Sequence, residues 1–148
     1  MNDHINLFKS LLLKWNKKIN LVAPGETSNL EERHLRDSQQ LCQHIPDKNI
    51  RIIDLGSGGG FPGIPISISG VHEVILIESI AKKCSFLREF AIQSNLNIKV
   101  LNARIEDVGV VKFLDNTGGE IARISDNEFI PVKWTAYYKG EIELIRYA

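Results

Sequence analysis

The sequence predicts an α/β fold, a doubly wound parallel sheet preceded by helices, and three observations carry that reading. Short aliphatic runs at Ile50 to Leu55, Val74 to Ile77 and Ile98 to Leu101 alternate with helical stretches, the βαβαβ order of a parallel sheet. The first run leads straight into Asp54-Leu55-Gly56-Ser57-Gly58-Gly59-Gly60-Phe61-Pro62-Gly63, a glycine turn where a ligand can approach the backbone. The second run closes on an acidic residue, Glu78, 22 positions after Gly56. In nucleotide-binding α/β folds a carboxylate at that place takes the hydroxyl pair of a ribose.

The elements follow in order. Ile5, Phe8, Leu12, Trp15 and Ile19 recur at three- and four-residue steps, flanked by Lys9, Lys14, Lys17 and Lys18, which predicts an amphipathic first helix. Ala23-Pro24-Gly25 breaks it, and a second helix is expected from about Leu30 to His44, stopping before Pro46. After the first strand and the glycine loop, a helix should begin between Pro62 and Pro65, where proline costs little in a first turn. Val74 to Ile77 is nearly all aliphatic, as expected of a parallel strand buried on both faces. Ala81 to Ser94 is expected as a crossover helix with Phe86, Leu87, Phe90 and Ala91 inward. Beyond Asp107 the βα alternation stops. Asn116 to Gly119 reads as a turn, Lys139-Gly140 as a possible second one. Glu128 to Lys133, Thr135 to Tyr138 and Glu141 to Tyr147 read as short strands.

Composition sets outer limits. A chain of 148 residues is one domain's length, and its 18 basic and 18 acidic residues balance, so only local charge can speak for a nucleic-acid partner. No apolar run reaches the ~20 residues that span a bilayer, and no signal-peptide pattern opens the chain. Cys42 and Cys84 stand far apart without CxxC spacing, so neither a zinc site nor a structural disulfide is expected, and a reducing cytoplasm fits.

The register of the loop bears on which nucleotide it serves. Gly58, Gly60 and Gly63 match GxGxxG, but counted from Gly56 at the strand end the sixth position is Phe61, where a dinucleotide fold places its packing glycine. Asp54, inside the strand, can orient the loop or meet a cationic ligand, and it would repel a pyrophosphate. S-adenosylmethionine carries a sulfonium, an ammonium and a ribose but no phosphate, and suits this arrangement better. The competing reading is a glycine-rich connection that binds nothing.

Leu12…Trp15-Asn16…Ile19-Asn20-Leu21-Val22, Arg33-His34-Leu35-Arg36-Asp37-Ser38, the DLGSGGGFPGIPI loop, Glu78-Ser79…Lys82-Lys83…Phe86-Leu87 and Ala103-Arg104-Ile105-Glu106-Asp107 together resemble the bacterial small-subunit ribosomal RNA guanine-N7 methyltransferases. These are also called the glucose-inhibited division protein B family, and the resemblance runs from Leu11 to about Asp107. It implies a class I methyltransferase fold, Rossmann-like and here incomplete, with an N-terminal helical extension. It implies S-adenosylmethionine as methyl donor and N7 of a guanine in 16S ribosomal RNA, free or in the small ribosomal subunit, as acceptor. Residues 1–107 would form the helices and cofactor core, and residues 108–148 a divergent β-rich tail rather than a domain. A cytoplasmic monomer without metal or membrane attachment is expected.

By the same resemblance Gly56 and Phe61 would contact the cofactor and Ile105 and Glu106 would lie along its adenine, while Glu78, Asp54 and Gly58 are expected in the same site from the strand-end and loop reading above. Plain core packing competes for Phe61, and a solvated loop carboxylate for Glu106. Arg33, Arg36, Lys82 and Lys83 would hold RNA phosphates, and Asp37 would brace a partner near the cofactor. A surface helix with internal ion pairs competes for the Arg33 to Asp37 face. No acid or base is assigned, because N7 of guanine already has a free lone pair. Family members continue with further βα units and a serine/threonine-arginine-alanine segment. Only 41 residues follow Asp107, against about 30 for a single βαβ unit, and Arg123 is not given that arginine's role. The expectation is a truncated or frameshifted descendant, with a compact alternative tail as the rival. The alternative function is therefore a catalytically inactive remnant with residual cofactor or RNA binding.

Overall fold

The computed structural model describes residues 2–22, 34–45, 51–70, 72–104, 111–114, 120–125 and 128–131, the last three stretches as backbone strands only. Helix α1 spans Asn2–Asn16 and buries Phe8, Leu11 and Leu12. It stops three residues short of the expected Ile19, because the Asn16 side chain captures the chain that follows. Its Oδ1 accepts the N–H of Leu21 at 2.9 Å and of Val22 at 3.2 Å, which turns the backbone away from the helix axis. The second helix is described from His34, and its winding ends at His44 as its pattern implied. One turn of π winding at His34 and Leu35 leads into α2, Arg36–Leu41, and a 3-10 turn, Cys42–His44. The expected start at Leu30 lies outside the described residues.

Strands β1 (Arg51–Leu55), β2 (Glu73–Glu78) and β3 (Ile98–Asn102) form a parallel sheet in the order β1-β2-β3. Helix α3 (Gly63–Ser69) connects the first pair and α4 (Ala81–Ser94) the second. Strands that advance in one direction through crossovers of one hand place both helices on the same face. Helix α1 meets both of them there. These strands form one winding half of the expected sheet, and the reversal of strand order that makes a sheet doubly wound is not among the described strands.

The core sits between this face and the helices. Ile52, Val74 and Leu76 point into it, with Ile64, Ile66, Phe86, Leu87 and Phe90 from α3 and α4. Phe8 of α1 joins through ring contacts at 5.1 Å to Phe61, 5.6 Å to Phe90 and 6.4 Å to Phe86. The opposite face is less covered than a strand buried on both sides requires: Ile77 is buried, Ile75 half-buried, and Leu101 is 42% exposed. At the amino ends of the strands Glu73 bridges Arg51 at 2.7 Å and Lys99 at 2.8 Å, joining all three strands. Asn95 ends α4 in the left-handed conformation, φ 56°, as a C-terminal stop.

A second sheet is antiparallel, in the order β4-β5-β6, from Val111–Leu114, Glu120–Ser125 and Glu128–Pro131. The strand expected from Glu128 is β6. The sequence pattern did not anticipate β4 and β5, whose register Leu114↔Glu120 brackets the expected Asn116 to Gly119 turn. That turn, the possible Lys139-Gly140 turn and the strands expected at Thr135 to Tyr138 and Glu141 to Tyr147 lie outside the described residues.

Candidate functional site

The loop from Gly56 to Pro62 lies at the carboxyl ends of β1 and β2, the ligand-binding end of a parallel α/β sheet. Gly56 at φ 74°, Gly58 at φ 52° and Gly60 at φ 93° all occupy the left-handed region. Backbone bonds close the turn tightly. Gly56 and Ser57 donate to the Ile77 carbonyl at 2.8 and 3.1 Å, and Gly60 donates to Ser57 at 2.7 Å. The glycines then divide by what a side chain would meet. At Gly59 a Cβ would lie 2.7 Å from the Leu21 carbonyl oxygen, at Gly60 2.6 Å from Ile64 Cδ1 and at Gly63 2.4 Å from Leu76 Cδ2. At Gly58 a Cβ would meet only the Gly56 carbonyl oxygen at 3.9 Å and Glu78 Oε1 at 4.0 Å, ordinary contacts, so space does not demand a glycine there; Gly58 is half-buried and Gly56 exposed. The close helix-to-strand contact that the loop register placed at position 61, and found blocked there by Phe61, is made by Gly63 at the start of α3.

Glu78, 6% exposed at the end of β2, joins this turn to the rest of the site. Its Oε1 accepts the Gly58 N–H at 2.8 Å, and its Oε2 accepts the Ile80 N–H at 2.8 Å and the Ser79 hydroxyl at 3.5 Å. A carboxylate oxygen has two lone-pair sites, so Oε1 retains acceptor capacity toward a hydroxyl.

Asp54 has a different place. Its carboxylate turns beneath the loop, 3% exposed, where Oδ2 accepts the Gly63 N–H at 3.0 Å. Its Oδ1 is buried with no hydrogen-bond partner. Burial raises its pKa to about 7, against the lowering by the Gly63 N–H and the Ser57 hydroxyl, and the charge of Glu78 raises it further. A carboxylate with spare acceptor capacity beside a glycine turn, with negative charge of Asp54 and Glu78 at the strand ends, suits a ligand bearing hydroxyls and positive charge. S-adenosylmethionine has both.

Phe61 is half-buried, its ring 5.0 Å from the His34 ring and 5.1 Å from Phe8, and it packs against the core. Contact with the core and with the loop is therefore combined in one side chain. Arg36 and Asp37 are exposed on α2, while Lys82, exposed, and Lys83, half-buried, are the second and third residues of α4. Arg33, Ile105 and Glu106 lie outside the described residues.

Sequence reasoning missed Asn102 and Cys84. The Asn102 Nδ2 donates to the Glu78 carbonyl at 3.1 Å and to the Ser79 carbonyl at 3.0 Å. The Cys84 thiol, fully buried and with its pKa raised by burial, donates to the Glu78 carbonyl at 3.2 Å. The available signal was the parallel register, which sets Glu78 opposite Asn102.

Parallel strands, a glycine turn at their carboxyl ends and an acidic residue closing β2 define a Rossmann-like fold of the methyltransferase kind, present here as a three-stranded part. The comparison with known families agrees: the model of the GidB family, described as rRNA small subunit methyltransferase G, matches residues 1–117, and the chain belongs to that family. The proteins named Ribosomal RNA small subunit methyltransferase G from Rickettsia bellii and Rickettsia akari are 49% identical over 104 residues and 47% identical over 108. These alignments cover 70% and 73% of this chain but 54% and 56% of the relatives. The chain thus spans about half the length of the curated relatives it matches.

Proposed function

We propose that this chain binds S-adenosylmethionine and serves methylation of N7 of a guanine in 16S ribosomal RNA, in the free RNA or the small ribosomal subunit. The observation that carries the reading is Glu78, held at 2.8 Å against the Gly58 N–H of the turn with acceptor capacity to spare. In this proposal Glu78 takes the ribose hydroxyls, Gly56 and Gly58 let the ligand approach the backbone, and Phe61 lines the loop. Asp54 contributes by holding the turn from beneath, its Oδ2 accepting the Gly63 N–H. Ile105 and Glu106 are proposed along the adenine. S-adenosylmethionine supplies the methyl group from its sulfonium. Guanine N7 needs no proton removed, so the chain's task is alignment, which can lower a barrier by about 7–11 kcal/mol.

Arg33, Arg36, Lys82 and Lys83 are proposed as phosphate contacts. The lysines favour that role because cations in the first turn of α4 oppose the helix dipole. Residues 1–107 are proposed as the functional unit and 108–148 as a tail without domain status, in line with the switch from parallel to antiparallel pairing. No helix among the described residues is long and apolar enough to cross a membrane, and no group of three or more potential metal ligands occurs among them. A monomer working in the cytoplasm is proposed.

A second reading, a chain that binds but does not transfer, is favoured by the change to antiparallel pairing after β3, which leaves the parallel sheet at three strands among those described. Calorimetry with S-adenosylmethionine, followed by a labelled-methyl assay on 16S RNA and on small subunits, separates the two. Binding with transfer supports the enzyme, and binding without transfer supports the remnant. No binding at millimolar cofactor contradicts both the enzyme reading and the cofactor-binding remnant.

A further inference from the structure

We infer that Asn102 is a positioning residue for Glu78, setting the orientation in which its carboxylate can take a ribose diol; this rests on the reading of the loop as a nucleoside-cofactor site. Three donors converge on one carbonyl. The Glu78 C=O receives the Asn102 Nδ2 at 3.1 Å, the Ala103 N–H at 3.1 Å and the Cys84 thiol at 3.2 Å. The other Asn102 N–H goes to the next carbonyl, Ser79, at 3.0 Å. A carboxamide has two donors in a fixed plane, so one side chain sets the direction of two successive peptide groups. Those peptides flank the bend over which Glu78 Oε2 reaches the Ile80 N–H.

With the backbone held on one side and Oε2 on the other, Oε1 is left directed at the Gly58 N–H, in the turn whose first glycine, Gly56, is exposed. Asn102 itself is exposed, at the end of an edge strand among those described, and core packing does not explain an amide there. Its consequence is specificity: a ligand with a vicinal diol gains from the fixed carboxylate, and one without it does not.

The test uses the full chain with Asn102→Ala and Asn102→Asp, the second keeping the shape while placing a charge against two carbonyl oxygens. In the ligand-free chain the Gly58 amide proton, shifted downfield by its carboxylate partner, should move upfield in both variants while the Val74 and Leu76 amides stay in place. An unmoved Gly58 resonance overturns the inference. Calorimetry with adenosine and with 2′,3′-dideoxyadenosine supplies the second readout. Loss of one supporting hydrogen-bond set should weaken adenosine about tenfold and leave the dideoxy compound within about twofold. Equal loss for both nucleosides also overturns the inference, since a general structural role does not distinguish them. A wild-type chain that binds neither nucleoside overturns the cofactor reading, and the Gly58 resonance still decides whether Asn102 sets the carboxylate.

Discussion

The Glu78 carboxylate accepts the Gly58 N–H at 2.8 Å, so the end of β2 holds the turn that follows β1. Strand pairing brings the two elements side by side, and this one bond fixes the middle of the glycine turn relative to the acidic group. The candidate site is in this sense a property of the sheet, and residues that disturb the sheet's carboxyl end should disturb ligand binding first.

Substitution Glu78→Gln preserves size but removes the charge and one acceptor. An amide nitrogen cannot accept the N–H of Ile80, and only one oxygen remains for Gly58 and a hydroxyl. Hydrogen bonds to charged groups contribute about 1.5–3 kcal/mol, so affinity for S-adenosylmethionine should fall about 10- to 150-fold, read by calorimetry.

Gly63→Ala should destabilise the chain without touching the ligand side of the loop. Its Cβ would meet Leu76 Cδ2 at 2.4 Å and Asp54 Oδ2 at 2.5 Å, both inside the core. Overpacking of this kind costs about 1–3 kcal/mol, measurable by urea denaturation.

Phe8→Ala tests how α1 is held. Phe8 is 1% exposed and touches Phe61, Phe86 and Phe90. Its loss should cost about 3–5 kcal/mol and loosen the loop through Phe61, giving both a lower denaturation midpoint and weaker ligand binding.

The Asp54 carboxyl gives stability a pH dependence of defined sign. Its pKa is about 7 when folded and 3.8 in its ordinary state, so between these values the folded chain holds the proton more firmly than the unfolded one. Its contribution to stability is therefore most favourable below about pH 4, declines as pH rises, and is constant above about pH 7. The span is on the order of 4 kcal/mol. Asp54→Asn, whose carbonyl can still accept the Gly63 N–H, should flatten the wild-type decline between pH 4 and 7 in denaturation midpoints.

The legible parts of this chain are those whose hydrophobic period is strong and whose neighbours in space are neighbours in sequence. Helix α4 begins at Ala81 and ends at Ser94 as its apolar spacing implied, and β1, β2 and β3 fall within one residue of their aliphatic runs. The loop glycines and Glu78 were legible because positive φ and a strand-end carboxylate leave a mark on residue type. Asn102 was not: an asparagine closing a strand is unremarkable until the register sets it opposite Glu78. The role of Gly63 was hidden by counting from Gly56, since the turn is longer than a dinucleotide loop and moves the packing glycine into α3. Helix α1 ended early because a side-chain cap from Asn16 outweighed the continuing apolar stripe. Strands β4 and β5 were missed because the pattern there has neither long aliphatic runs nor clean alternation.

The most direct test of the account is calorimetric titration of the purified chain with S-adenosylmethionine, beside Glu78→Gln under the same conditions. The account predicts one site per chain in the wild type and a loss of affinity of about tenfold or more in the variant. An absence of binding to the wild type at millimolar cofactor, or equal affinity in the two chains, would contradict it.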